Sequence, residues 1–329
     1  MKRLVTAGRR WASAHPRALV ALELVVGVVF IVCIAWAVRG SFRAAGKDLR
    51  NANLGLFGLA CAVLAVYYLA FVVGWIRIFS DWRIRLSYAT ALRAEMVSML
   101  AKYVPGGVWT PAARVVAMRR SGVSSAGLVT AAMAIEAGLS AVSGVMVFVI
   151  SLAWVDGVHA PIIPLVAFAV VVAALVQPRV FRPLMIRILR RFGYKEELPP
   201  TRPLTMAFLL VYYSATWVIG GAALWLLLRS VGAHPDPESI VYLGGVAAVG
   251  AIVAVLVVIA PSGLGVREGT MYGLMLAVAP KGAALGATLL NRVAITLVEL
   301  LLLLVGGAIL KARGEAEEDE AMQLRDAQT

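Results

Sequence analysis

The sequence predicts an all-α polytopic membrane protein, and its composition, its apolar runs and an internal repeat all indicate this fold class. Of the 329 residues, 61% are apolar and 15% are charged, whereas a soluble domain is about 45–50% apolar and about 25% charged. Since one bilayer span needs about 20 apolar residues, there is room for roughly six to eight spans. We therefore expect no separate soluble catalytic domain.

Continuous apolar runs mark the predicted membrane segments. The first run follows a basic N-terminal stretch and is too long for a cleaved signal sequence, so we expect it to remain as a span. The acidic residues after Gly314 predict a disordered tail over 313–329, beyond a single membrane domain over 1–312. The runs cover residues 18–38, 54–76, 124–153, 160–176, 203–228, 239–260 and 283–310.

Two shorter segments interrupt their helical pattern at a turn. Residues 87–120 contain Pro105-Gly106-Gly107, and residues 262–280 follow Pro261 and carry Arg267-Glu268. Irregular backbone at membrane depth is tolerated only where it is buried in protein or lines a wet cavity. We therefore interpret both segments as broken-helix hairpins that re-enter the membrane and face a shared polar cavity.

An internal repeat relates the two broken segments at an ungapped offset of 156 residues. Pro105 then aligns with Pro261, and each copy places polar side chains at i, i+4 and i+7 on one helical face. Three predicted spans separate the copies, so the second copy is inverted in the membrane. The repeat halves cover about 54–153 and 203–310. The aligned polar pairs are Glu136 with Arg292, Ser140 with Thr296, and Ser143 with Glu299.

Basic residues predict the orientation, because cytoplasmic connections are enriched in lysine and arginine. Five lie in the first 17 residues, eight in 77–121 and seven in 177–202, which places these segments in the cytoplasm. Four basic residues in 39–52 conflict with this assignment. We predict about six full spans, two re-entrant hairpins and cytoplasmic termini in the cell (inner) membrane. Hydropathy alone leaves open a full crossing by 239–260.

The candidate site consists of polar and charged residues near the two breaks. Each charge near the bilayer centre costs about 2.5–3.5 kcal/mol unless it is paired or hydrated. We expect Thr110 and Ser262 to cap the helices after the breaks, and Glu136 to compensate Arg292. The predicted counter-charges or proton carriers are Glu136, Glu268 and Glu299. The predicted substrate-binding residues are Lys102, Tyr103, Gly106, Gly107, Arg114, Ser262, Gly263, Arg267 and Arg292.

Two structural interpretations stay open beside this hypothesis. One is that the charges form a buried ion-pair network, and the other is that the bases near the first break are cytoplasmic anchors. The net charge of +13 predicts anionic partners, and the basic amphipathic segment 178–202 is typical of a helix on the anionic inner leaflet. The three histidines are scattered without other ligands at suitable spacing. We expect no metal, no cofactor and no nucleic acid partner.

Two motifs and one acidic residue between them carry a family resemblance. They are Lys102-Tyr103-Val104-Pro105-Gly106-Gly107-Val108-Trp109 with Arg114 after it, Glu136, and residues 261–269, Pro-Ser-Gly-Leu-Gly-Val-Arg-Glu-Gly. The sequence resembles the lysylphosphatidylglycerol synthase transmembrane, or flippase-like, family, which includes the flippase portion of MprF proteins. The resemblance covers about 20–310 and implies movement of lipids with charged or sugar-bearing head groups. Envelope glycan or lipid biosynthesis enzymes are implied as partners.

The chain departs from this family in two ways. MprF proteins carry an aminoacyl-transferase domain after the membrane part, whereas this chain stops soon after its last predicted span, so we expect no enzymatic aminoacylation. Trp109-Thr110-Pro111 stands where many relatives have a Gly-Asp pair before the arginine. The leading prediction is a flippase or facilitator for an anionic phospholipid or a polyprenyl-phosphate-linked glycan. The alternatives are a secondary transporter of a small soluble anion, a membrane-embedded transferase and a structural role.

Overall fold

The computed structural model describes residues 51–101, 109–120, 123, 125–155, 157–158, 162–191, 194, 197–257 and 265–326. These residues form ten α-helices and contain no strand. The first five are α1 (Leu54–Asp81), α2 (Tyr88–Ala101), α3 (Trp109–Arg120), α4 (Ala126–Ser151) and α5 (Ile162–Val176). The others are α6 (Pro178–Arg191), α7 (Pro203–Ser230), α8 (Ser239–Leu256), α9 (Val266–Met275) and α10 (Lys281–Asp326).

Within the described part of the chain, five helices are long and apolar enough to cross a membrane. They are α1, α4, α7, α8 and residues Lys281–Val305 of α10, with 28, 26, 28, 18 and 25 residues. Each lies on a predicted apolar run, which confirms a multi-pass membrane protein. The predicted span 18–38 lies outside the described residues.

The helices α5 and α6 form a bent pair, with an angle of 74° between them at Gln177. At 1.5 Å per residue, the 15 residues of α5 are shorter than the hydrocarbon core, and the pair adds a sixth span only if it is one broken crossing. In α6 the apolar Phe181 and Leu189 are buried while most arginines are exposed. This amphipathic pattern agrees with the predicted surface helix.

Three helices flank the predicted breaks and are too short to cross. The helices α2, α3 and α9 have 14, 12 and 10 residues, or about 15–21 Å at 1.5 Å per residue. Each packs on its neighbour across a predicted break, α2 on α3 and α8 on α9. The turns themselves, 102–108 and 258–264, lie outside the described residues.

The helices fall into two units with the same pattern of contacts. In α1–α4 the first helix packs on the second and the fourth, and the third packs on the second and the fourth. In α7–α10 the same four contacts recur in the same order. The two units contact each other mainly through α1 and α7. Four further contacts form two equivalent pairs: α1 packs on α10 as α7 packs on α4, and α2 packs on α10 as α8 packs on α4. The bent pair connects the two units.

Small residues allow close packing of the second unit, as expected where helices associate in lipid. A Cβ built on Gly221 of α7 would lie 2.4 Å from the backbone nitrogen of Gly244 in α8. A Cβ on Gly245 would lie 2.5 Å from the Cα of Phe148 in α4. Glycine is therefore required at Gly221 and Gly245, because a side chain at either position would overlap the backbone of the neighbouring helix.

The last helix extends beyond its apolar part. It runs from Lys281 to Asp326 and so includes most of the acidic segment 313–329. The tail is rich in alanine and glutamate, and both residues have high helix propensity. A polar, charged segment that cannot join a packed core can therefore still extend an existing helix.

Candidate functional site

A buried ion-pair cluster, which we call the first cluster, consists of Glu95, Ser98, Arg114 and Glu136. Arg114 Nη1 lies 2.5 Å from Glu136 Oε2, and Arg114 Nη2 contacts Glu95 Oε2. Arg114 Nε donates to Ser98 Oγ at 3.2 Å, and this hydroxyl donates to the Glu95 carbonyl oxygen at 2.7 Å. The three charged residues are only 1% to 5% exposed. One guanidinium thus links α2, α3 and α4.

Two aromatic residues, Trp75 of α1 and Tyr213 of α7, lie near the first cluster. The Trp75 ring of α1 lies 5.0 Å from the Arg114 guanidinium carbon, at cation–π distance. The Trp75 indole nitrogen, the Tyr213 hydroxyl and Glu136 Oε1 are buried and have no hydrogen-bond partner within the described ranges. Buried polar atoms that lack a partner cost free energy. The site thus has donors and an acceptor available for a polar ligand or water.

A second ion pair joins α9 to α10. Arg292 Nη1 lies 3.4 Å from Glu268 Oε1, and Glu268 Oε2 accepts from the Gly265 backbone N–H at 2.7 Å. The side chains of Arg292 and Glu268 are 21% and 18% exposed, so this pair is more accessible than the first cluster. Gly265 is the N-cap of α9 and has a φ of +80°, which glycine adopts without steric cost.

Two helix starts differ from the expected ones. The helix expected to start near Gly263 begins at Val266, with Gly265 as its N-cap, and Ser262 lies outside the described residues. Thr110 was expected to cap α3, but this helix already includes Trp109. Pro111 still lies in the first turn of α3, where the missing N–H costs no intrahelical hydrogen bond.

The predicted pairing of Glu136 with Arg292 is also wrong. Glu136 contacts Arg114 within the first unit, and Arg292 contacts Glu268 within the second. The two ion pairs nevertheless occupy corresponding helices with their charges exchanged. The arginine lies on α3 and the glutamate on α4 in the first unit, whereas the glutamate lies on α9 and the arginine on α10 in the second.

Two tyrosines of α1 lie between the units. The Tyr68 hydroxyl donates to Glu299 Oε1 of α10 at 2.7 Å, and Glu299 is only 2% exposed. Tyr67 interacts electrostatically with charged side chains of both units, namely Glu95, Glu136, Arg267 and Glu299. Charged residues of both units therefore lie within electrostatic range of Tyr67.

Arg267 is a charged residue of this region with a buried donor. It lies in the first turn of α9, and its buried Nε has no hydrogen-bond partner among the residues that the structure describes. It also interacts electrostatically with Tyr67 and Tyr68. An arginine with a free donor inside an apolar body is suited to bind an anionic oxygen.

The structure describes six of the predicted site residues and places four of them in two ion pairs, Arg114 with Glu136 and Arg292 with Glu268. The other two, Arg267 and Glu299, lie on α9 and α10. The predicted Lys102, Tyr103, Gly106, Gly107, Ser262 and Gly263 lie outside the described residues. Sequence reasoning missed Glu95 and the two tyrosines of α1. The available signal was Glu95 itself, an acid in a broken segment otherwise rich in basic residues.

The model of one protein family, the lysylphosphatidylglycerol synthase TM region, matches residues 20–303. The chain belongs to this family. This match confirms the resemblance carried by the two broken segments, and it includes all ten helices except the end of α10. No curated protein matches the chain at a significant level.

Proposed function

We propose that this member of the lysylphosphatidylglycerol synthase TM region family is a lipid flippase or facilitator. Its substrate is an anionic phospholipid or a polyprenyl-phosphate-linked glycan. The head group passes through the polar region beside Tyr67 and Tyr68, while the lipid tails remain in the bilayer. The observation that carries this proposal is Arg267, whose buried Nε has no hydrogen-bond partner in the described part of this largely apolar helical body.

The repeated contacts of α1–α4 and α7–α10 support an inverted-topology repeat with two re-entrant hairpins. Three short helices, α2, α3 and α9, border the two breaks, and helices interrupted at midplane are typical of transport sites. In this arrangement one hairpin opens to each side of the membrane. The exchanged charges of the two ion pairs then offer a phosphate an arginine from either unit, Arg114 or Arg292.

The counter-charges have a role in this mechanism. When a phosphate oxygen binds an arginine, the arginine releases its glutamate partner. The negative charge of that glutamate must then be hydrated, paired with another cation or neutralised by a proton. Glu136, Glu268 and Glu299 lie next to arginines or to Tyr68 and can alternate between these states. We propose that this exchange keeps the pathway electrically balanced while the head group moves, without chemical change of the lipid.

Localisation follows from the same proposal. The basic amphipathic helix α6 is placed on the anionic inner leaflet of the cell membrane, with both termini in the cytoplasm. Enzymes that make or use envelope lipids and glycans are the expected partners.

The test is transbilayer movement of lipid in vesicles that contain the purified protein. Labelled phosphatidylglycerol or a labelled polyprenyl phosphate should reach the opposite leaflet faster than in protein-free vesicles. Arg267→Gln should abolish the acceleration, because it removes a guanidinium from the pathway. The exposed Arg229→Gln, at the end of α7, is the matched control and should retain it.

Both variants should unfold at the wild-type temperature, so that lost transport is not lost structure. If the wild type moves no labelled lipid, the proposal is wrong. If it instead takes up a small soluble anion, the secondary-transporter alternative replaces it.

A further inference from the structure

A groove between α4, α5 and α7 lies apart from the charged region described above. It opens next to the bend between α5 and α6 and has a volume of about 490 Å³. Its buried lining is apolar and comes from all three helices: Leu139, Val142, Val176 and Met206. Two exposed alanines, Ala173 and Ala207, also line it.

One end of the groove is polar. Gln177 and Arg179 line it at the point where α5 ends and α6 begins. The Gln177 side-chain oxygen accepts from the Arg179 backbone N–H at 2.9 Å, which fixes the start of α6 beside the groove. The exposed Arg179 thus provides a positive charge at one end of an otherwise apolar surface.

We propose that this groove binds one anionic phospholipid, with an acyl chain between α4, α5 and α7 and the phosphate at Arg179. Two walls of the groove belong to α4 and α7, which are long enough to cross the bilayer, and the third belongs to the short α5 beside them. An apolar groove between such helices faces the hydrocarbon chains of the bilayer, and an acyl chain can therefore fill it. Charge complementarity selects the head group, because a membrane-surface arginine favours anionic lipid. The bound lipid would stabilise the 74° bend between α5 and the basic helix α6.

The groove is separate from the proposed transport pathway and does not depend on it. The site described here holds a resident lipid, whereas the pathway beside α1 passes a head group across the membrane. Binding can therefore be measured on protein that moves no lipid at all.

The experiment measures lipids retained by the purified full chain after exposure to vesicles of equal parts phosphatidylglycerol and phosphatidylcholine, with native mass spectrometry as the readout. The wild type should retain phosphatidylglycerol in preference. Ala173→Leu should lower total retention several-fold, because the larger side chain fills the groove. Ala174→Leu is the matched control, since Ala174 is also exposed but is not among the residues that line the groove.

The head-group contact needs a second pair of variants. Arg179→Gln should reduce the preference for phosphatidylglycerol about fivefold, as expected for one arginine at a membrane surface. Arg190→Gln, at the far end of the same helix, should leave the preference unchanged. Ala207→Leu, on the opposite wall, repeats the blocking test if Ala173→Leu fails to fold.

Equal retention of the two lipids by the wild type would overturn the proposal. So would equal loss of lipid from Ala173→Leu and Ala174→Leu. Neither result bears on lipid movement through the pathway beside Arg267, so failure here and failure of the proposed function are distinguishable.

Discussion

Removing Arg114 should destabilise the protein strongly, because Arg114 is the cation that Glu95 and Glu136 both contact. All three residues are at least 95% buried. Breaking a buried ion pair by removal of one partner costs about 3–5 kcal/mol, since it leaves an uncompensated charge. We therefore expect Arg114→Gln to lower the free energy of unfolding by about 3–5 kcal/mol.

The pair contact itself can be isolated with a double-mutant cycle. Glu136→Gln alone removes a charge-assisted hydrogen bond, which is worth about 1.5–3 kcal/mol. Because the double variant loses one carboxylate together with the guanidinium, it should be less destabilised than the sum of the single variants. We expect a coupling energy of about 1.5–3 kcal/mol between the two positions.

The assay is denaturant unfolding of the purified protein in mixed micelles, followed by tryptophan fluorescence, which is sensitive to the neighbouring Trp75. Arg120→Gln, an exposed arginine at the end of the same helix, is the control and should change stability by less than about 0.5 kcal/mol. Additive effects of Arg114→Gln and Glu136→Gln would refute the reasoning, as would equal losses in Arg114→Gln and Arg120→Gln.

Two further substitutions test contacts of the second unit in the same unfolding assay. Tyr68→Phe removes the hydrogen bond to buried Glu299 and should cost about 1.5–3 kcal/mol, whereas Tyr194→Phe, at an exposed position, should have little effect. Gly265→Ala places a side chain at a φ of +80° and should cost about 1–2 kcal/mol. Gly273→Ala, with open space around it in the same helix α9, should be neutral or stabilising, and equal losses at the two glycines would contradict the assigned strain.

The membrane helices follow from composition, because long apolar runs must be buried in lipid or protein whatever their contacts. The start of α7 was predicted at residue 203 and that of α8 at residue 239, as the structure has them. The end of α8 was placed four residues too late, at 260 instead of Leu256. Apolar residues continue past that helix end, so hydropathy carries no signal for it.

The pairing of charges was harder to predict than their presence. The ungapped repeat aligns Glu136 with Arg292 because the two positions are equivalent, but equivalent positions need not touch. Each instead pairs with the preceding short helix of its own unit, through Arg114 and Glu268. Glu95 was missed because a single acid among bases is typical of a solvated ion pair, and only the packing of α2 on α3 shows that it is buried.

The cap of α9 shows a similar limit. Ser262 fits the usual preference for N-cap residues, and the sequence also offers Gly263 and Gly265 near the same break. The choice of Gly265 depends on its left-handed backbone and on Glu268, which accepts its N–H. Neither backbone torsion nor this reach of a side chain is visible in residue types alone.

The central claim is that charged residues of both units surround one head-group site beside α1, and cross-linking tests it most directly. A phosphatidylglycerol with a photoreactive group on its head group should be activated in vesicles that contain the wild-type protein, and the labelled peptides identified by mass spectrometry. The claim predicts labels on α1 around Tyr67 and on α9 around Arg267, both reduced by excess unlabelled phosphatidylglycerol. Labels confined to the outer surfaces of α5 and α6, with none on α1 or α9, would contradict it.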